Sequence, residues 1–116
     1  MNIYKNNDEI TMVPKQTLAF DEDDTVKTFT MNVRGLLHTI VMKVANFTNV
    51  VTATLTIANS NSDDIYDSTA KAKNATYVLN ELLDKVPLVG DHTVTVTLSG
   101  AAGGTGGDVE VTLYVK

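Results

Sequence analysis

Strict alternation of threonine with aliphatic residues constrains the fold of this chain more than any other feature. The alternation is clearest in residues 50–58, 92–99 and 108–115. In residues 52–57, threonine takes every second position, and Ala, Leu and Ile take the positions between. Successive side chains of a strand point to opposite faces, so a period of two predicts strands with one buried and one solvated face.

The overall composition favours the same structure. The 116 residues include 17 Thr and 15 Val, which lose rotamer freedom in a helix but pack well on a pleated surface. About seven or eight short strands at this spacing predict an all-β fold, a two-sheet antiparallel sandwich of the jelly-roll or Ig-like kind. We expect residues 10–116 to form a single β-sandwich domain and residues 1–9, which are polar and rich in Asn, to form a flexible N-terminal arm.

Turn residues divide the chain into predicted strands. Arg34 and Gly35 predict a turn, and the Gly-rich segment 100–107 predicts the connector of a long antiparallel hairpin between the last two strands. Residues 78–85 fit either two helical turns or a strand followed by a loop, and the strand with a loop is favoured. The predicted strands are Thr11–Phe20, Thr25–Val33, Leu36–Val44, Val50–Ala58, Ile65–Ser68, His92–Ser99 and Asp108–Val115.

Charge and hydropathy narrow the classes of partner. The formal net charge is -5 and the sequence pI is about 4.7, so a phosphate backbone is repelled and we expect no nucleic-acid partner. No apolar run approaches the roughly 20 residues that span a bilayer, so we expect no membrane partner. Residues 1–9 lack the apolar core of a signal peptide.

Metal and phosphate motifs are incomplete. Asn59, Asn61 and Asp63 have the alternate spacing that opens a calcium loop, but Asp64 and Ala70 stand where that loop needs Gly and Glu. Two metal sites that follow no defined loop motif are kept as alternatives, one at residues 21–24 and one at residues 63, 64 and 67. The glycines at 100–107 match neither a dinucleotide fingerprint nor a P-loop, and a strand follows them rather than a helix.

Catalytic side chains are also few. The chain has no cysteine, and its two histidines are His38, in the middle of a predicted strand, and His92, at the start of another. Neither has a neighbouring nucleophile and an orienting carboxylate of the kind a catalytic triad needs. We therefore expect a protein that is not an enzyme and has no metal or cofactor.

Candidate contact residues follow from position in a predicted loop or arm. The candidates in the arm are Asn2, Ile3 and Tyr4. The candidates in the loops are Phe47, Gly103, Gly104, Gly106 and Gly107.

Residues 36–116 resemble, in strand and turn pattern, a known class of proteins. The pattern is carried by Asn46–Asn49, Thr52–Ile57, Ile65–Ser68, Pro87–Gly90, Thr93–Gly100 and Val109–Val115. It resembles the small all-β virion proteins of tailed bacteriophages that decorate or cement capsids. Tail and fibre modules of phages have a similar pattern of strands and turns.

The resemblance implies a function and a partner. It implies a non-enzymatic protein made in the host cytoplasm that binds the outer face of the capsid, on the major capsid protein lattice, in many copies and often as a homotrimer. The alternative is a tail-associated, fibre-associated or cell-surface β-sandwich that binds a receptor or glycan. Modules that bind glycans usually present aromatic rings for stacking, and few aromatic residues are available here, since they make up 6% of the chain.

Overall fold

Strand β2, Val26–Val44, is the centre of the fold because its two halves belong to different sheets. The computed structural model describes residues 9–116. Over its first half, β2 pairs with β7 (Pro87–Leu98), and over its second half it pairs with β8 (Gly107–Val115). Gly35, with a φ of 139°, lies where the strand bends from one sheet to the other. The predicted turn at Arg34 and Gly35 is therefore a bend within one continuous strand.

The other strands flank β2 on both sides of this bend. Sheet A has the order β1-β8-β2-β6, and sheet B has the order β2-β7-β3-β4, with β5 also paired to β3. All pairings are antiparallel, and residues 9–116 contain no helix. The predicted all-β antiparallel sandwich is confirmed. The remaining bounds are β1 Thr11–Phe20, β3 Thr52–Ala58, β4 Asp64–Asp67, β5 Lys71–Ala72 and β6 Ala75–Leu79.

The core lies between the inner faces of the two sheets. Its members are mainly aliphatic and stand two positions apart on their strands, while the threonines between them point outward. Each buried aliphatic side chain contributes roughly 1.5–3 kcal/mol relative to its exposed form. The fully buried residues include Ile40, Met42, Leu55, Ile57, Val94, Val96, Val109, Val111 and Leu113.

The hairpin predicted for the last two strands is wrong. Strand β7 lies between β2 and β3 in sheet B, whereas β8 lies between β1 and β2 in sheet A. Residues 99–106 cross from one sheet to the other, so the inward valines of the two strands enter the core from opposite sides. Alternation shows which residues face inward, but it does not show which strand lies alongside.

A β-bulge at His38 changes which residues of β2 face the core. Leu37 lies opposite Val115 and Thr39 lies opposite Tyr114, so His38 is an extra residue on β2. One extra residue moves the following side chains to the other face. Before the bulge the buried residues are odd-numbered, such as Leu37 at 3% exposed beside Leu36 at 38%, and after it they are even-numbered, such as Ile40.

For residues 78–85 the structure confirms the strand with a loop. Strand β6 pairs with the second half of β2, with Val78 opposite Val41, and a turn follows at residues 81–85. The Asp84 N–H donates to the carbonyl of Leu37 at 2.9 Å, which fastens this loop to the bend. The helical alternative is wrong because β2 offers a free edge for pairing at this point.

Candidate interaction surfaces

Three loops meet at one end of the sandwich, which we call the loop end: residues 21–25, 45–51 and 99–106. Gly103 N–H donates to the carbonyl of Glu22 at 2.8 Å, and Asn49 N–H donates to the carbonyl of Ala102 at 3.1 Å. The Asn49 side chain adds a bond from Nδ2 to the carbonyl of Ala101 at 3.0 Å. The Gly-rich segment is thus bonded to both neighbouring loops and does not project as a hairpin tip.

The four candidate glycines allow this close packing. Gly106, with a φ of 79°, lies so near the carbonyl oxygen of Phe20 that a Cβ atom would overlap it. A Cβ on Gly103 would lie 2.6 Å from the side chain of Asn49, and one on Gly107 would lie 3.0 Å from the Phe47 ring. Of the four, only Gly104 is exposed, next to the exposed Thr105.

Phe47 is a core residue, which corrects its assignment as a contact residue. It is 1% exposed and packs edge-on against Phe20, with ring centroids 6.1 Å apart and an interplanar angle of 82°. A ring buried in this way anchors its loop but is not available to a partner. Asn2, Ile3 and Tyr4 lie outside the described residues.

Val50 is the contact candidate that loop position alone did not reveal. Its side chain is 93% exposed at the loop end, whereas that of Val51 is 6% exposed. The alternation carried a signal, since Val51 begins the inward series and its predecessor must face out. Val50 therefore gives the loop end one fully accessible apolar side chain on a loop that hydrogen bonds hold in place.

The acidic segment at residues 21–24 lines a shallow, open hollow with Gly104 and Thr105. Asp24 caps its own turn, since its Oδ2 accepts from the Asp21 N–H at 2.8 Å and lies 3.2 Å from Lys27 Nζ. The hydrogen bond from Asp21 and then that from Lys27 lower the pKa of Asp24 below its usual value. Within residues 9–116, no group of three His, Asp or Glu side chains is placed to hold a metal ion.

The two histidines have separate structural roles. His92 lies within β7 rather than at its start, is 2% exposed, and donates from Nδ1 to the carbonyl of Gly90 at 2.8 Å. His38 Nδ1 lies 3.1 Å from Asp84 Oδ1, and Lys116 Nζ lies 3.5 Å from Asp84 Oδ2. The hydrogen bond with His38 is the main cause that lowers the pKa of Asp84. This group ties the 80–86 loop to the bend in β2.

A second tie holds the same loop to sheet B. The hydroxyl of Tyr66, in β4, donates to the carboxylate of Glu81. Burial, and then this bond, raise the pKa of Tyr66 well above its usual range, while the bond lowers the pKa of Glu81. These contacts hold the 80–86 loop in place at the end of the sandwich opposite the loop end.

The outer faces of the two sheets differ in chemistry. In the centre of sheet B, threonines stand beside one another on adjacent strands, as in the row formed by Thr28, Thr95 and Thr56. The outer face of sheet A carries charge, with Lys15 Nζ 3.3 Å from Glu110 Oε1. The remaining outward threonines of sheet B are Thr30, Thr52, Thr54, Thr93 and Thr97.

No protein-family model matches this chain, and no curated protein matches it in sequence. Solved structures with a related β architecture include a serine protease of Aeromonas sobria, with 6% identity and a TM-score of 0.47, over 93% of this chain and 27% of that chain. They also include infectious bursal disease virus, Gx strain, with 10% identity and a TM-score of 0.48, over 93% and 32%. Dimeric latent PorU from Porphyromonas gingivalis has 12% identity and a TM-score of 0.42, over 93% and 13%.

This chain spans about a third or less of the length of each of those chains. Likeness at these TM-scores and identities does not extend to activity or partners. Separately, none of the elements between residues 9 and 116 is a helix long and apolar enough to cross a membrane.

Proposed function

We propose that this chain is a non-enzymatic structural protein of a phage virion that binds the outer face of the capsid, with the major capsid protein lattice as its partner. The observation that supports the proposal is the loop end. There Val50 is almost fully exposed on a loop that hydrogen bonds hold in place.

The loop end suits a contact that is repeated over a lattice. Gly103 and Asn49 bond the three loops together before any partner arrives, so little conformational entropy is lost on binding. Val50 is exposed on one of these loops, and Gly104 and Thr105 are exposed on another, beside the acidic segment. A small contact is sufficient when many copies attach to one shell, because linked copies bind with a high effective concentration.

Co-sedimentation with empty shells of the source phage tests the proposal. Val50→Asp places a charge in the contact and should lower the bound fraction about tenfold. Val78→Asp is the matched control, since Val78 is 63% exposed on sheet A, away from the loop end. A parent chain that stays in the supernatant contradicts the function, whereas equal binding of both variants contradicts only the loop end as the contact.

The N-terminal candidates Asn2, Ile3 and Tyr4 have a test of their own. We propose that residues 2–9 contact a neighbouring subunit on the shell. Their deletion should weaken occupancy of the shell and leave the urea unfolding midpoint of the purified chain unchanged. Unchanged occupancy would contradict this role for the arm.

A further inference from the structure

Threonine side chains form a regular grid on the outer face of sheet B. Strands β2, β7 and β3 are neighbours there, and both pairings run without a register shift over these residues. Three successive rows take one outward residue from each strand, and seven of the nine positions are threonine. The rows are Val26-Thr97-Thr54, Thr28-Thr95-Thr56 and Thr30-Thr93-Ala58.

The grid is uncharged and uniform. Charged residues make up 20% of the chain, but none of the nine positions carries one. Each threonine presents a hydroxyl, which donates and accepts hydrogen bonds, beside a methyl group. Its β-branched side chain has restricted rotation about χ1, so the sheet holds both groups in place before any partner arrives. The face therefore presents the same small polar and apolar groups at regular intervals.

Two spacings describe the grid. Threonines on neighbouring strands stand roughly 4.8 Å apart, and threonines two positions apart on one strand stand roughly 6.8 Å apart. In a tetrahedral network of water with an O···O distance of about 2.75 Å, second neighbours are about 4.5 Å apart, and the longer lattice repeat, eight-thirds of the O···O distance, is about 7.3 Å. Both repeats lie at right angles on the prism face of ice, and the grid agrees with each to within about a tenth.

We propose that this grid adsorbs the chain to ice. The hydroxyls of the central row, Thr28, Thr95 and Thr56, take the positions of water molecules at the prism face, and the methyl groups lie between them. Because the side chains are already ordered, little conformational entropy is lost on adsorption. Adjacent strands turn by roughly 20–25° relative to one another, so the match covers a small patch and the adsorption is weak.

The chemistry of the grid fits ice better than it fits a glycan or an ionic partner. Glycan sites usually stack aromatic rings on the sugar, and none of the nine residues is aromatic. An ionic partner needs an opposite charge, which the grid lacks. The acidic segment and Val50 lie outside the grid, so this inference does not rest on the proposed function.

Inhibition of ice recrystallisation tests the proposal, because it detects weak adsorption. The purified parent chain should slow the growth of ice grains at a concentration at which serum albumin does not. Thr95→Lys puts a long charged side chain at the centre of the grid and should raise the lowest effective concentration about tenfold. Thr112→Lys is the matched control, since Thr112 is a half-buried outward residue of β8, an interior strand of sheet A. It should match the parent chain to within about twofold.

Thr28→Lys is a second variant of the grid, at an exposed position on β2. It keeps the test decisive if Thr95→Lys does not fold, and circular dichroism and the urea midpoint check the fold of every variant. A parent chain no more active than albumin overturns the proposal. Equal losses of activity in Thr28→Lys and Thr112→Lys overturn it as well, because the activity would then not come from this face.

Light scattering distinguishes ice from a second copy of the chain as the occupant of the grid. A parent mass that falls in Thr95→Lys but not in Thr112→Lys would show that another copy covers the grid, and the proposal would be wrong. All of these measurements use the purified chain without shells. Their failure leaves the capsid contact standing, and failure of co-sedimentation leaves the ice contact standing.

Discussion

The two halves of β2 differ in how many strands surround them. The second half, Leu37–Val44, pairs with β8 on one side and, from Ile40, with β6 on the other. Residues 26–34 pair with β7 and with no other described strand, and only their end, at residues 32–34, lines a pocket with β1 residues Thr11 and Val13. The sequence of the first half alternates Thr or Asn with apolar residues. The second half is apolar on much of both faces, as at Ile40 and Val41. The second half is therefore paired along both sides and packed on both faces. The first half is paired with a strand along one side only.

The largest expected effect is loss of packing in the second half. Met42 is fully buried between the sheets. Met42→Ala leaves a cavity and should lower the free energy of unfolding by about 2–5 kcal/mol. Urea unfolding followed by circular dichroism measures it. A loss below about 1 kcal/mol would mean that the second half is no better packed than the edge.

The bend that separates the halves should be sensitive to a single methyl group. A Cβ on Gly35 would lie 2.6 Å from the carbonyl oxygen of Lys116 and 2.7 Å from a methyl carbon of Val115. Gly35→Ala should therefore cost about 1–3 kcal/mol in the same urea assay.

Gly90→Ala is the matched control for the bend. Gly90 also has a positive φ, of 85°, but a Cβ there meets nothing within 4 Å. Backbone strain from the positive φ should affect both variants, whereas overlap of the added Cβ with neighbouring atoms should affect only Gly35→Ala. Equal losses in the two variants would show that overlap at the bend is unimportant.

Acid should weaken the tie at the bend. The bond with His38 lowers the pKa of Asp84 in the folded chain. The contribution to stability is therefore present above the unfolded pKa of about 4 and is lost as the pH falls through the lower folded value. Asp84→Asn should lower the urea midpoint at pH 7 and reduce its decline between pH 5 and pH 2. A decline as steep as that of the parent chain would contradict the tie.

The smallest effect is expected on the outer face of the first half. Thr28 is exposed and its side chain points away from the core. Thr28→Ala should change the free energy of unfolding by about 0.5 kcal/mol or less. A loss approaching that of Met42→Ala would mean that the two halves do not differ as described.

The sequence was sufficient to predict where most strands lie in the chain, but not which strands pair with one another. The bounds of β1 were predicted as observed, and the inward series of β3 and β8 follow directly from a period of two. Pairing depends on contacts between residues far apart in the chain, so the local pattern of Val94 and Val109 could not show that they lie in different sheets. The bulge at His38 adds one residue without changing the composition, and no local signal marks it.

The candidate site was predictable only in part. Loop position indicated the Gly-rich segment, and Gly104 is indeed exposed. The same reasoning chose Phe47, which is buried because a large ring in a loop gains more from the core than from water. Val50 was overlooked because alternation shows that it faces outward but does not distinguish it from the threonines that also face outward.

The pairing of β1 with β8 has a consequence for synthesis. Thr11 lies opposite Val115, so β1 has no strand to pair with until β8 has left the ribosome. Sheet B can begin to assemble sooner, because β3, β4 and β7 are all complete by Leu98. Contacts between such distant residues slow folding, typically to milliseconds or seconds. During that interval, β1 is the nascent segment that most needs protection from mispairing.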